Sequence, residues 1–348
     1  MDVVRVLAKL EPGGAQLSAL RLSVALREHG IETRLLAGEA CRAGLQLARE
    51  HGFEPECLRG ELGRLQWAPS RAFAAWLAPR LAGAELVHAH MFGAWWAAAQ
   101  VLAPEVPLVA SEHNALTWPG PPQERELRAA LPRVDHFFAH GPAARATVLK
   151  AGLAPERLAP GRSPVVGLAA SPRPGLPSPR IVFCGRLAPD KGPDVLARAL
   201  RRVPACPPAY FVGDGPLREH LEALAPDAVF AGWQRDPAPW VAGAAVLAAP
   251  SRADAWSQSV VTAMALGTPV VAAAVEGLPA VLADGRGILV APEDPDALAA
   301  ALDDVLCGRR RPDLAAAREY ALGFTPELVA EQYAAVYARV SAELRSFA

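Results

Sequence analysis

Residues 181–194 read IVFCGRLAPDKGPD: a short apolar run, a glycine, the cations Arg186 and Lys191, and a second glycine ahead of Pro193 and Asp194. An apolar run stopped by glycine is the pattern of a buried strand, and proline with an acid just behind it marks a helix start. Strand, glycine turn and helix together form the repeating unit of a doubly wound parallel sheet. Downstream the unit recurs, with strands expected at 210–212, 245–248 and 269–273, a helix from about Lys191 and another from about Ser257. Upstream lies GLAASPRPGLPSPR at 167–180, which has turn composition and no periodicity and reads as a linker. Before it the scheme has already run once. A strand in VVRVLAKL at 3–10 leads through the glycines of EPGGAQ at 11–16 to an apolar stripe at Leu17, Leu20, Leu22, Val24 and Leu26, and further strands are expected at 33–36, 86–90, 107–111 and 136–139. Residues 326–344 carry helical spacing, so a terminal helix is expected.

Composition agrees with two domains and excludes several alternatives. The chain has 348 residues, 52% of them hydrophobic and 20% charged, with 35 Lys+Arg against 36 Asp+Glu for a net charge of −1. That balance excludes a disordered chain and gives no reason to expect a nucleic-acid partner. The 5 cysteines are scattered without a C-x-x-C pair, which suggests neither a disulfide framework nor a zinc site and fits a reduced cytoplasm. The opening MDVVRVLAKL does not read as a secretory leader, and the longest weakly polar stretch, 260–275, falls short of the ~20 residues that a bilayer span needs. Only Lys9, Lys150 and Lys191 are lysines in a chain rich in arginine, alanine and proline, a bias typical of high-GC coding, so a lysine beside a glycine loop draws notice.

Ligands of doubly wound sheets sit at the carboxyl ends of the strands, so the residues just past each strand carry most weight. In EPGGAQ, Gly13 and Gly14 permit close backbone approach, and the helix behind them offers free N–H groups to an anion. After the 181–184 strand, Arg186 and Lys191 offer a planar fork and a point charge for a diphosphate. In PSRADAWSQSVVTAMALGTPVV at 250–271, Asp254 sits near a strand end and Ser257 can cap the following helix. His88 and His90, two apart on a strand, share a face; without a third ligand they read as polar partners rather than a metal pair. Asp294-Pro295-Asp296 reads as a helix cap with proline in the first turn rather than a metal motif, and residues 309–311 as a solvated arginine turn. Most tryptophans should be core, with Trp118 free to line a sugar-binding surface.

These motifs, taken in order with HAH at 88–90, EHN at 112–114, GRLAPDKG at 185–192, GDGP at 213–216, AGW at 231–233 and GILVAPEDPDALAAAL at 287–302, span nearly the whole chain. In that arrangement the sequence resembles the retaining, family-4 type of nucleotide-sugar glycosyltransferase with GT-B architecture. The resemblance implies an α/β fold of two facing Rossmann-like domains with a C-terminal helix crossing back. An acceptor-binding domain would occupy 1–166, the linker 167–180, a nucleotide-sugar domain 181–322, and a helix at 323–348 would pack on the first domain. Gly13, Gly14, Arg186 and Lys191 would hold the donor diphosphate together with the Gly213 turn. Trp233 would meet the nucleobase, and His113 the transferred sugar. Trp256 with Ser257 and Gln258 would form the sugar-facing turn. The family's pair of glutamates eight positions apart, which bind donor sugar and ribose, is replaced here by Asp254 and Thr262, and its Asn-Gly after the last strand of the first domain by Pro160-Gly161-Arg162. His88, His90, Trp118 and Arg162 are the acceptor-side candidates. Glu112, His113 and Asp254 are the catalytic ones, although a front-side displacement in which the leaving phosphate takes the acceptor proton needs no strong base.

The expected activity is metal-independent, retaining transfer of a hexose, with no cofactor beyond the nucleotide sugar. UDP-GlcNAc or UDP-glucose is the expected donor. The acceptor would be a hydroxyl on a small aminocyclitol or other secondary metabolite, as in aminoglycoside tailoring, or on a cell-envelope glycan or lipid reached by peripheral membrane contact. A nucleotide-sugar epimerase of the same fold and a non-catalytic partner subunit are the rival readings.

Overall fold

The computed structural model describes residues 1–116 and 121–345. It divides into two compact units, Met1–Pro164 with Pro326–Ala348, and Val165–Thr325.

The first unit is built on seven parallel strands: β1 (Asp2–Leu10), β2 (Glu32–Ala40), β3 (Glu56–Arg59), β4 (Leu86–His90), β5 (Leu108–Glu112), β6 (His136–Ala139) and β7 (Leu158–Pro160). Their order is β3-β2-β1-β4-β5-β6-β7, so the chain reverses direction of growth between β1 and β4. Every residue of β4, β5 and β6 is buried, as expected for a parallel sheet covered on both faces. Alternation divides β1 between the two faces. Val4, Val6 and Ala8 join Phe73, Phe92 and Trp95 in one cluster, while Val3 on the other face joins the C-terminal helix. That helix, Pro326–Arg345, lays Val329, Tyr333, Tyr337 and Val340 against Val3, Leu26 and Phe138. Its buried stripe follows the helical period, and each large side chain so buried contributes about 2 kcal/mol.

The second unit has six parallel strands: β8 (Ile181–Cys184), β9 (Ala209–Val212), β10 (Val229–Gly232), β11 (Val246–Ala249), β12 (Val270–Ala273) and β13 (Ile288–Val290). The order β10-β9-β8-β11-β12-β13 repeats the first sheet, with the reversal between β8 and β11. Both sheets thus have the doubly wound topology expected from the strand–turn–helix pattern.

Residues 167–180 have no regular element, and they pack on the second unit. The Arg173 amide donates to Pro239 O at 2.8 Å and its guanidinium lies 4.8 Å from the Trp240 ring centroid. Arg180, only 2% exposed, donates to the carbonyls of Pro177, Trp240, Ala242 and Gly243. The two ends of this unit meet where Val165 N donates to Phe324 O at 2.9 Å. Asp294 caps the helix Pro295–Leu306 by accepting from the amides of Asp296 and Ala297, the role read from the sequence.

Candidate functional site

In the second unit the loops behind β8, β9 and β11 are tied together by backbone contacts. Gly185 N donates to Val212 O and Leu187 N to Asp214 O, both at 2.9 Å. At Gly213 (φ +141°) a Cβ would stand 1.9 Å from Gly185 O, and at Gly192 (φ +60°) one would stand 2.1 Å from Pro250 O. These two glycines are where loop meets loop, so any side chain would force the loops apart. From the β11 side, the amides of Arg252 and Ala253 both donate to Asp190 O, and the Arg252 guanidinium grips the Asp194 carboxylate at 2.8 and 2.9 Å.

This lacing brings Lys191, past β8, onto Asp254, past β11. Nζ lies 2.8 Å from Oδ2, with the Lys191 side chain 27% exposed and that of Asp254 5% exposed. Ser251 Oγ donates to the same oxygen at 3.2 Å. The pair therefore sits at the carboxyl ends of the two strands between which the sheet reverses, the position where open α/β sheets bind ligands. A third group borders it. Glu276, just past β12, holds a left-handed backbone (φ +42°), its neighbour Gly277 donates N–H to Asp254 O, and burial together with the Asp254 charge pushes the Glu276 carboxyl up.

The remaining donor-side candidates are distributed around this pair. Arg186 is half exposed and turned to Asp190 at 2.9 Å, so it and Lys191 rest on separate carboxylates rather than on a common point. Trp233 stands just past β10, 48% exposed. Trp256 instead packs on Phe324, with ring centroids 4.9 Å apart, as part of an apolar cluster. Ser257 occupies the N-cap position of the helix Gln258–Ala265 without capping it: its hydroxyl lies 3.2 Å from Ser259 Oγ, which corrects the expected cap. The helix amides behind Gln258 are thereby spared that side chain. Thr262, 8% exposed, lies on the same helix.

In the first unit Gly13 is the N-cap of the helix Gly14–Ala25, and the loop before it is braced by Gln16 Nε2 donating to Lys9 O at 3.1 Å and by the Lys9–Glu11 ion pair at 2.9 Å. Glu112, at the end of β5, is fully buried. Its Oε1 accepts from the amides of His113 and Asn114 and from Asn114 Nδ2, and its Oε2 from Trp95 Nε1. Burial raises its carboxyl to about 7 against the pull of these donors. Every described partner of Glu112 is a donor, so the carboxylate clamps the turn that carries His113. His113 itself is half-buried, 3.1 Å from His90 Nδ1 and stacked on His140 with centroids 3.9 Å apart.

His88 and His90 do not face an acceptor. They are 0% and 2% exposed and bonded to the buried Arg5, which the β1–β4 register sets opposite His88, and His88 is also bonded to Ser111 and Tyr337. Arg162 is exposed, and its carbonyl accepts from Tyr333 OH at 3.2 Å. Trp118 lies outside the described residues. Sequence reasoning missed Arg5, Tyr333, Tyr337, His140 and Glu276. Of these, His140 and Glu276 carried a readable signal, since each follows a strand end. Among the described residues no three His, Cys, Asp or Glu side chains are grouped to hold a metal ion, and no helix is long and apolar enough to cross a membrane.

Residues 12–159 match the family described as Glycosyltransferase Family 4, and residues 178–307 match that described as Glycosyl transferases group 1. A D-inositol 3-phosphate glycosyltransferase of Nocardioides is 38% identical over 207 residues, 51% of this chain and 45% of that protein. Its namesake in Streptomyces coelicolor is 32% identical over 263 residues, 66% of this chain and 58% of that one. The chain spans about half the length of the curated relatives it matches. Among solved structures, Anabaena HepE in complex with UDP-glucose superposes with a TM-score of 0.79 at 20% identity, covering 97% of this chain and 100% of that one. Sucrose-phosphate synthase from Thermosynechococcus elongatus superposes with a TM-score of 0.74 at 22% identity, covering 99% and 100%. These likenesses give the fold, that of the GT-B glycosyltransferases.

Proposed function

We propose that the chain, which matches Glycosyltransferase Family 4 over residues 12–159 and Glycosyl transferases group 1 over residues 178–307, works as a family-4 type glycosyltransferase that transfers a hexose from a uridine diphosphate sugar to a hydroxyl of a cyclitol, with retention of configuration. The observation that carries the reading is the Lys191–Asp254 pair at the reversal between β8 and β11. In this reading a donor diphosphate takes the partly exposed ammonium, together with amides of the neighbouring glycine loops and of the helix behind Gln258. Asp254, released from Lys191, accepts from a sugar hydroxyl. Cation and amides then stabilise the charge that develops on the departing diphosphate, and no metal is needed for that step. Trp233 offers an exposed ring face to the base.

A cyclitol acceptor is supported by the relatives named as D-inositol 3-phosphate glycosyltransferases, and it keeps an aminocyclitol within the same chemical class. A uridine donor is supported by the UDP-glucose held in the HepE structure. The test is incubation of the chain with UDP-glucose or UDP-GlcNAc and D-inositol 3-phosphate, followed by mass spectrometry and by NMR of the new anomeric proton. The expected result is a glycosylated cyclitol with an α linkage and UDP released in equal amount. Donor recovered unchanged with every cyclitol tried would contradict the reading, and donor converted to its epimer would replace it.

A further inference from the structure

The buried face of the first sheet holds a guanidinium with no acid beside it. Arg5 is 0% exposed, and its described partners are His88 Nδ1 at 3.0 Å, His90 Nε2 at 2.7 Å and Tyr337 OH at 3.3 Å, while its Nε has none. A buried charge is costly, and here its field falls on imidazoles. It also fixes where their protons are, because a guanidinium only donates.

The two hydrogens of Arg5 Nη1 reach His88 Nδ1 and His90 Nε2, so both of those nitrogens are bare. Both rings are held uncharged, since burial first and neighbouring positive charge next press their protonation well below the ordinary histidine range. A neutral ring bare at one nitrogen carries its hydrogen on the other. His88 Nε2–H therefore donates to Ser111 Oγ at 2.8 Å, and His90 Nδ1–H donates to His113 Nε2 at 3.1 Å. His113 Nε2 is then an acceptor. Burial and then the Arg5 charge hold the His113 ring neutral as well, down to about 3, so its hydrogen stands on Nδ1. The His113 ring makes no other hydrogen bond among the described residues.

We propose that Arg5, acting through His90, fixes His113 as the Nδ1–H tautomer, so that the residue at the carboxyl end of β5 presents a hydrogen-bond donor to an oxygen of the substrate and does not act as a base. Arg5 and His90 are positioning residues, locked by the register of β1 with β4 and covered by Tyr337 of the C-terminal helix. The identity of the oxygen, a hydroxyl of the transferred sugar, rests on the function proposed above. The tautomer does not.

Long-range nitrogen–proton NMR of the full chain labelled with ¹⁵N-histidine tests it without any ligand. The expected spectrum of His113 has a protonated Nδ1 and a bare Nε2. A His113 ring protonated on Nε2 would overturn the proposal, and so would one charged at neutral pH. Arg5→Met is expected to leave His113 as a mixture of tautomers, and an unchanged His113 signal in that variant would overturn the role of Arg5. Should Arg5→Met not fold, His113→Asn and His113→Gln decide. Asparagine places its amide nitrogen where Nδ1–H stood and glutamine where Nε2 stood. Turnover of UDP-glucose with D-inositol 3-phosphate is expected to be about tenfold higher in the asparagine variant than in the glutamine variant, the worth of one hydrogen bond. Equal or reversed rates would overturn the proposal. The expected tautomer in a protein that turns over no nucleotide sugar would contradict the proposed function and leave the tautomer standing.

Discussion

Lys191→Met lowers transfer from a UDP-sugar by about 10²–10³-fold, the cost of removing one preorganised charge from the group that departs. Methionine keeps the length and most of the volume of the lysine stem, so the turn Pro189–Lys191 and the helix Pro193–Leu200 are retained. What disappears is the ammonium 2.8 Å from Asp254. Asp254 keeps Ser251 as a donor, and the lysine is partly exposed, so the loss of folding stability is discounted to about 1 kcal/mol. The loss should therefore lie in donor affinity and turnover rather than in the amount of folded protein. Steady-state kinetics at several UDP-sugar concentrations, with far-UV circular dichroism beside them, measures both. A variant within threefold of the parent rate would remove Lys191 from the diphosphate site.

The second large effect is of pH on the first unit. His88, His90, His113 and His140 are all held below the ordinary histidine value of 6.5, chiefly by burial, as is His136 to about 4. For a base depressed in the folded state, the unfolded chain binds protons more readily below 6.5. The stabilisation is therefore complete above that pH and is lost as the pH falls. Glu112 acts in the opposite sense. Raised from 4.5 to about 7, its contribution is complete below 4.5 and disappears as the pH rises through 7. Each fully engaged histidine changes stability by up to about 1.4 kcal/mol per pH unit, and several act against one glutamate. The melting temperature of the first unit, followed by fluorescence of the buried Trp95 and Trp96, is thus expected to be lower at pH 5 than at pH 7.5 by on the order of 10 °C or more. A first unit at least as stable at pH 5 would mean that these imidazoles are protonated in the fold.

The inner strands of both sheets were legible from sequence. Runs such as residues 86–90, 136–139 and 181–184 are short, apolar and bounded by turn residues, and the structure has strands there. The four strands that the pattern did not reveal are β3, β7, β10 and β13, and they form the four edges of the two sheets. In β3, β7 and β10 no residue is fully buried, so none of them carries the continuous apolar run on which the reading relied. The donor-side loops were legible for a related reason: they follow inner strands, and their glycines mark contacts of backbone with backbone. The histidine network was not. Arg5 and Tyr337 stand 332 positions apart, and Arg5 within VVRVLAKL looks like a charge at the surface of a strand until the C-terminal helix covers it. His88 and His90 were consequently assigned to an acceptor that, fully buried, they do not meet.

The central claim is that the second unit binds a nucleoside diphosphate through the loops that follow β8 and β11. A thermal-shift panel of UDP, GDP and dTDP on the full chain tests it most directly, because a ligand at about 100 times its dissociation constant adds about 2.7 kcal/mol to folding. The account predicts a clear upward shift with UDP and a smaller one with GDP and dTDP. The absence of any shift with all three would contradict it.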